Sequence, residues 1–302
     1  MRQQTQIFSF KKGNVYGACL VVLVAIITTL SNTLTHLLRK DFPTEEVLFF
    51  KVGVGLCLIV AFHLRNLKKL SSTQMLRWHA LKGFAGAVGN WFWIASIQVL
   101  PLADATALSL TSAFLTTLGA TYFFSEQVNR WVFLAVTIGF VGVFLILCPS
   151  AKIFSFYASF PLLSAFALST SSLIIKKVSL TDSSNTTVFY LMLFMTLFSM
   201  GSIYWRWQTP QTEEFLMLIT IGVLYVIGQF ALIEAYTHAT AGFIAPFKFT
   251  RFPLAILSGF LFFGEQMSLR TLVGGALIII SYYTIIKAKR LKAYFYTKSE
   301  AH

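Results

Sequence analysis

Apolar residues in this chain come in long unbroken runs, not in alternation, and short polar clusters separate them. Each run is close to the roughly 20 residues that a helix needs to cross a bilayer core. The pattern predicts ten spans, at 15–38, 45–64, 79–98, 103–123, 131–148, 156–175, 186–205, 215–236, 242–263 and 269–287. Clusters such as Arg39-Lys40-Asp41-Phe42-Pro43 and Thr181-Asp182-Ser183-Ser184-Asn185 punctuate them. Continuous apolar runs favour helices over barrel strands, whose residues alternate between lipid and lumen. The first run is too long for the apolar region of a signal peptide, and no small-residue cleavage pattern follows it.

Composition agrees with lipid as the main solvent. Of 302 residues, 56% are hydrophobic and 12% charged, and the mean hydropathy is +0.72. A soluble domain carries about 25% charged residues. Half that share cannot coat a water-facing surface. The chain therefore reads as an all-α integral membrane protein of ten transmembrane helices. Cys19, Cys57 and Cys148 stand singly, without metal-ligand spacing or a disulfide framework.

The net charge of +13 is a topology signal before it is a nucleic-acid signal. With a cytoplasmic N-terminus, 15 basic residues fall on the inner side (Arg2, Lys11, Lys12, Arg65, Lys68, Lys69, Arg77, Arg130, Lys176, Lys177, Lys287, Lys289, Arg290, Lys292 and Lys298). Only 5 fall outside: Arg39, Lys40, Lys152, Arg206 and Arg270. The bias predicts a multi-pass protein with both termini cytoplasmic, its basic tail facing anionic lipid. No nucleic-acid partner is expected.

An internal repeat organises the spans. Phe123-Phe124-Ser125-Glu126-Gln127 ends the fourth and Phe262-Phe263-Gly264-Glu265-Gln266 the ninth, 139 positions later. Leu37-Leu38-Arg39-Lys40 resembles Ile174-Ile175-Lys176-Lys177 at an offset of 137. Five spans per half is odd, so the second half enters the membrane inverted. The expected units are 15–148 and 153–288, followed by a basic cytoplasmic tail at 289–302. Inverted repeats are the architecture of alternating-access carriers, with a substrate site near the midplane between the halves.

On these residues the chain resembles the drug/metabolite transporter superfamily, in the branch with two EamA-type domains. Phe263-Gly264-Glu265 before Gly274-Gly275, and Phe124-Ser125-Glu126 before Gly139 and Gly142, carry the likeness. Within the superfamily it resembles the S-adenosylmethionine uptake carriers of obligate intracellular bacteria. The shared features are Glu46 before Phe49-Phe50-Lys51, His79 before Lys82-Gly83, and Ala245-Pro246-Phe247-Lys248. It departs from them in having lysine at 51, 82 and 248, where arginine is usual, and Ser112-Ala113 in place of a proline. The resemblance implies two inverted five-helix EamA repeats in a bacterial inner membrane, and transport of a small metabolite by a monomer or homodimer.

Ionisable side chains within spans are costly and mark function by default. Lys248 and Arg251 are three apart on one helical face, flanked by Pro246 and Pro253, which free backbone carbonyls. A cavity with two cations suits a carboxylate-bearing substrate; the alternative is an ion pair with Glu234. Lys51 and Lys82, early in their spans, either snorkel to head groups or line the site. Asn90 can bind substrate or a neighbouring helix, and one of Trp91 and Trp93 can stack on an adenine or a sulfonium. Gly83, Gly86 and Gly89 offer a small face for close helix contact. Glu234 is the candidate for a coupling proton. Glu126 and Glu265 are expected to accept hydrogen bonds from the first amides of the span that follows each.

Two transport readings follow. One is uptake or exchange of S-adenosylmethionine or a related carboxylate-bearing metabolite, through Lys248 and Arg251. The other is proton-coupled export of amino acids or other metabolites, through Glu234. A non-transporting scaffold is a remote third. A membrane acyltransferase is a fourth, on the His36–Asp41 spacing alone, which straddles a span end with no glycerophosphate-binding motif after it. No Walker loop, zinc-binding His-Glu-x-x-His or Gly-x-Ser-x-Gly elbow occurs, so no enzymatic activity, cofactor or metal is expected.

Overall fold

The computed structural model describes residues 12–38, 42–64, 70–123, 156–178, 181–203, 207–238, 245–265, 268–281 and 283–284, with a few helical residues between 134 and 145. The fifth predicted span (131–148) therefore lies mostly outside the described residues. Glu126, Cys148 and the basic tail at 289–302 lie wholly outside them.

The described segments are helical. They run α1 (Lys12–Leu37), α2 (Thr44–Phe62), α3 (Leu76–Val99), α4 (Leu102–Ser109), α5 (Thr111–Phe123), α6 (Phe160–Val178), α7 (Ser184–Ile203), α8 (Thr212–His238), α9 (Arg251–Phe263) and α10 (Leu269–Ser281). Two of them, over Val15–Leu37 and Thr212–His238, are long and apolar enough to cross a bilayer on that criterion alone.

The distribution of polarity is that of a protein in lipid. On α1, Leu23, Ile26, Leu30 and Leu37 point outward, while Thr29, Ser31, Asn32, Thr33 and Thr35 are buried. Phe260, Leu261 and Phe262 on α9 and Ile280 on α10 are likewise exposed. A water-soluble bundle turns its amphipathic helices the other way. Here the buried threonines bond to their own helix: Thr29 donates to Ala25 O, Thr33 to Thr29 O and Thr35 to Ser31 O.

The halves interdigitate. Helix α1 packs along α8, α2 against α7 and α8, α3 against α6 and α7, and α9 against α1 and α4. One apolar core runs through this contact, from Leu48, Val52 and Ile94 of the first half to Met192, Met195 and Ile221 of the second. Close approach depends on the small face of α3. A Cβ at Gly83 would lie 2.3 Å from that of Phe194, and one at Gly89 2.8 Å from Leu168. Gly83 and Gly86 face α7, whereas Gly89 faces α6.

Two expected spans are broken. The fourth divides at Leu110, between α4 and α5, where Ser109 and Thr111 donate their hydroxyls to Thr106 O and Leu108 O. Such local bonds compete with the helical ladder. Within the described residues, the ninth opens with a 3₁₀ turn, Ala245–Thr250, and becomes α-helical at Arg251. Its other end closes on Gly264 at φ 61°, with Glu265 N–H donating to Gly259 O and Gly264 N–H to Phe260 O. This glycine cap accounts for the Phe-Gly-Glu motif, since the left-handed position favours glycine.

Candidate functional site

Four of the residues singled out by sequence meet in the interior. Asn90 and Trp93 lie one turn apart on α3, so they share a face. Lys51 of α2 donates to Asn90 Oδ1 at 3.1 Å and lies 4.5 Å from the ring centre of Tyr225 on α8. Asn90 Nδ2 donates to Gly86 O at 2.9 Å and reaches the Tyr225 hydroxyl at 3.4 Å. Arg251, the first residue of α9, holds its guanidinium 5.6 Å from the Trp93 ring centre. The Trp93 indole N–H is taken by Asn32 Oδ1 of α1 at 3.0 Å. Lys51 and Arg251 are near enough for their charges to repel. Neither has a carboxylate within ion-pair distance among the described residues.

At about 1.5 Å per residue, Lys51, Asn90 and Tyr225 lie roughly 10–20 Å from the helix ends nearest Glu265. That depth is close to the middle of a core about 30 Å thick. Both halves contribute, α1, α2 and α3 from the first and α8 and α9 from the second. The arrangement can hold a ligand that accepts hydrogen bonds and offers a planar face. Trp91 turns elsewhere and donates to Glu45 Oε1 at 3.2 Å.

The other predicted residues lie apart, and several expectations are corrected. Lys51 and Lys82 do not snorkel: both are buried within the bundle. Lys82 sits two turns below Asn90 on α3, where its ammonium donates to the Thr187 carbonyl at 3.4 Å. Lys248 and Arg251 do not share a partner: Arg251 lies over the Trp93 ring, whereas Lys248, in the 3₁₀ turn, is directed at Tyr236. Its ammonium reaches the Tyr236 hydroxyl at 2.5 Å. Pro246 falls within that turn. Glu234 is not buried: its side chain is 44% exposed and lies 3.4 Å from His238, one turn on, and it pairs with neither Lys248 nor Arg251.

Glu265 does cap a helix, but not the one that follows it. Its carboxylate accepts the Leu102 N–H at 3.0 Å, at the start of α4 in the other half, with His36 Nε2 at 3.6 Å. The next helix is capped by Ser268, whose hydroxyl takes the Thr271 N–H at 3.1 Å. Thr271 in turn donates to Asp104 of α4 at 2.5 Å. Burial pushes the Glu265 carboxyl above its ordinary range, against the opposing pull of His36 and the Leu102 amide. At the opposite end, Asp182 accepts from Thr73 at 2.5 Å and from His79 at 2.6 Å. Burial works against its charge, but these two bonds outweigh it and hold the carboxyl below the usual value.

Sequence reasoning missed Tyr225 and Asn32. Asn32, a lone amide within the apolar first run, was a legible signal; a tyrosine inside a span is not distinctive. Among the described residues, no group of three or more His, Cys, Asp or Glu side chains is gathered as a metal would require.

Known proteins of the same build are transporters. The sequence profile of the EamA-like transporter family matches twice, at residues 15–148 and 155–287. The chain is 31% identical to a riboflavin transporter of Vibrio cholerae over 281 residues, 90% of this chain and 93% of that one. It is 28% identical to the pseudopaline exporter CntI of Pseudomonas aeruginosa, over 91% of this chain and 97% of the other. Identity to an S-adenosylmethionine uptake transporter of Rickettsia prowazekii is lower, 22% over 91% and 93% of the two chains. A crystal structure with 16% identity superposes with a TM-score of 0.64 over 92% of this chain and 98% of its own, which shows a shared fold. The doubled profile, the interdigitated halves and the full-length relatives make this chain a member of the EamA-like transporter family, within the drug/metabolite transporter superfamily, and a membrane carrier of small molecules, not an enzyme.

Proposed function

We propose that the chain crosses a bacterial inner membrane ten times, as two inverted five-helix units at 15–148 and 153–288 with both termini cytoplasmic, and carries its substrate by alternating access. The 15-to-5 bias of basic residues supports the orientation. The contacts agree with it: Thr73, His79 and Asp182 gather at one end of the bundle, and Glu46, Leu102, Gln208 and Glu265 at the other.

The substrate class that fits best is a neutral or anionic planar heteroaromatic metabolite rich in carbonyl acceptors, with riboflavin as the leading case. The observation that carries this reading is the pair of interior cations, Lys51 and Arg251, facing Asn90, Tyr225 and Trp93 with no acid beside them among the described residues. An isoalloxazine ring offers carbonyl oxygens to Lys51 and Asn90 and a flat face to the Arg251 guanidinium or to an aromatic ring. The likeness to the Vibrio riboflavin transporter along 90% of the chain supports the same class. S-adenosylmethionine ranks second. Its carboxylate suits the two cations, and the resemblance at Glu46, Lys51 and Lys82 favours it. Its sulfonium and ammonium, however, give it a net positive charge, which Lys51 and Arg251 repel. Proton-coupled export through Glu234 loses its physical basis once that carboxylate is exposed and beside His238.

Uptake of radiolabelled riboflavin and of S-adenosylmethionine by cells expressing the protein separates these readings. Saturable riboflavin uptake that is abolished in Arg251→Gln, with the variant still inserted, is the expected result. Saturable S-adenosylmethionine uptake alone would transfer the assignment to the second reading. Flux of neither compound, with the protein in the membrane, would overturn both.

A further inference from the structure

Two contacts at opposite ends of the bundle are related by the internal repeat. At one end Asp182, just ahead of α7, accepts hydrogen bonds from Thr73 and His79 at the entry to α3. At the other end Glu46, in the first turn of α2, accepts the backbone N–H of Gln208, just ahead of α8, at 3.1 Å. Asp182 follows Glu46 by 136 positions and Gln208 follows Thr73 by 135, close to the repeat offset. The same device is used twice with the halves exchanged. Each time, a carboxylate at the second helix of one half holds the entry to the third helix of the other.

The two ends differ in what neutralises the carboxylate. Asp182 faces an imidazole. Glu46 is fully buried, its Oε1 has no hydrogen-bond partner, and no cation lies within ion-pair distance among the described residues. The charged group felt from the packed elements is Glu214, in the first turn of α8, which has the same sign. The connection before α8 presents the Gln208 amide, and the end of α3 presents Gln98, whose own amide donates to Phe42 O. On α2 itself, Glu45 accepts from Trp91 and Lys51 donates to Asn90. Residues 39–41 and 204–206 lie outside the described residues. The first amides of α2 favour a negative charge, but a helix terminus supplies far less than an ion loses when it leaves water. A neutral carboxyl needs no counter-ion: one oxygen takes the Gln208 N–H and the other carries the proton.

We propose that Glu46 is a proton-binding site that gates the mouth of the carrier at this end. With the proton bound, the Glu46–Gln208 contact stays dry and the mouth is shut. When the carboxyl gives its proton to water, the carboxylate must be hydrated, and the contact opens. The idea takes its two-mouthed architecture from the proposed function, but its test requires no substrate.

Amide hydrogen exchange at Gln208, read in the purified protein in lipid nanodiscs and corrected for intrinsic exchange at each pH, reports the contact directly. In the native protein, protection should fall as pH rises, by up to about tenfold per unit, because a single proton is released. In Glu46→Gln, which mimics the protonated side chain, protection should stay high at every pH. Glu214→Gln removes the like charge and should move the transition to lower pH, a result that stands even if Glu46→Gln folds poorly. Identical pH profiles in native protein and Glu46→Gln, no pH response in the native protein, or no shift in Glu214→Gln would each overturn the proposal. Failure to carry riboflavin, with the exchange profile intact, would overturn the substrate assignment and leave this gate standing.

Discussion

Replacing Lys51 with methionine keeps the length of the side chain and removes its charge. The apo protein loses the hydrogen bond to Asn90 Oδ1 and the approach to the Tyr225 ring. A cation–π contact is worth about 0.5–2 kcal/mol. Leaving Asn90 Oδ1 without its donor costs about 1–3 kcal/mol. In the other direction, a buried cation with no acidic partner carries a desolvation penalty of several kcal/mol, which methionine relieves. The terms nearly cancel, so the stability of the empty carrier should remain within about 2 kcal/mol of the native value. Substrate has no such compensation. A hydrogen bond from a charged donor to a bound carbonyl is worth about 1.5–3 kcal/mol, or about 10- to 150-fold in affinity. Thermal unfolding in detergent, with and without riboflavin, reads both effects. At a riboflavin concentration 100 times the native Kd, the native carrier gains about 2.7 kcal/mol, while a variant weakened 100-fold gains about 0.4 kcal/mol. An undiminished riboflavin shift would remove Lys51 from the site. A loss of more than about 3 kcal/mol in the empty carrier would make it a structural lysine instead.

The latch around Asp182 should be visible as pH-dependent stability. Its carboxyl is held below the ordinary range, so its ionised form stabilises the fold above the unfolded value of about 3.9, and that contribution is lost as pH falls through the folded value. Melting curves between pH 5 and pH 3 should show a fall in Tm that is absent in Asp182→Asn, and matching slopes would refute the role. Gly222 and Gly228 of α8 should respond differently to alanine. A Cβ at 222 would lie 2.6 Å from Val54 Cβ and 3.0 Å from the Phe50 carbonyl, so α2 must move, at a cost of about 1–3 kcal/mol in denaturant titrations. At 228 the nearest atom is Ile27 Cγ2 at 3.6 Å, and the better helix former should be neutral or stabilising by up to about 1 kcal/mol.

The helical class, the two related halves and the transporter family were all legible in the chain itself. The reason is that a bilayer makes folding locally one-dimensional. Each crossing must satisfy its own backbone, so run length and loop charge can be read without knowing any neighbour. The motif at 262–265 was legible for a similar reason, because a left-handed glycine cap is a local event. Asn90, Trp93, Lys51 and Arg251 were recognisable as polar or aromatic residues within apolar runs. What surrounds each was decided by the tertiary structure. Lys51 and Lys82 looked interfacial by their distance from a span end, yet the packing of α7 and α8 over α2 and α3 buries both. Glu234 was the candidate for a coupling proton, yet its side chain is half-exposed one turn from His238. Lys248 and Arg251 looked paired at helical spacing, yet one meets Tyr236 of α8 and the other Trp93 of α3. Glu46 stood out in the sequence only as part of the motif with Phe49-Phe50-Lys51, and the connection 162 residues away that meets it was not legible there. Hydropathy reports how deep a residue lies, whereas the rotation of each helix and the chain it meets depend on side-chain packing between segments remote in sequence. Those contacts decide which buried charges are neutralised and which are left to act.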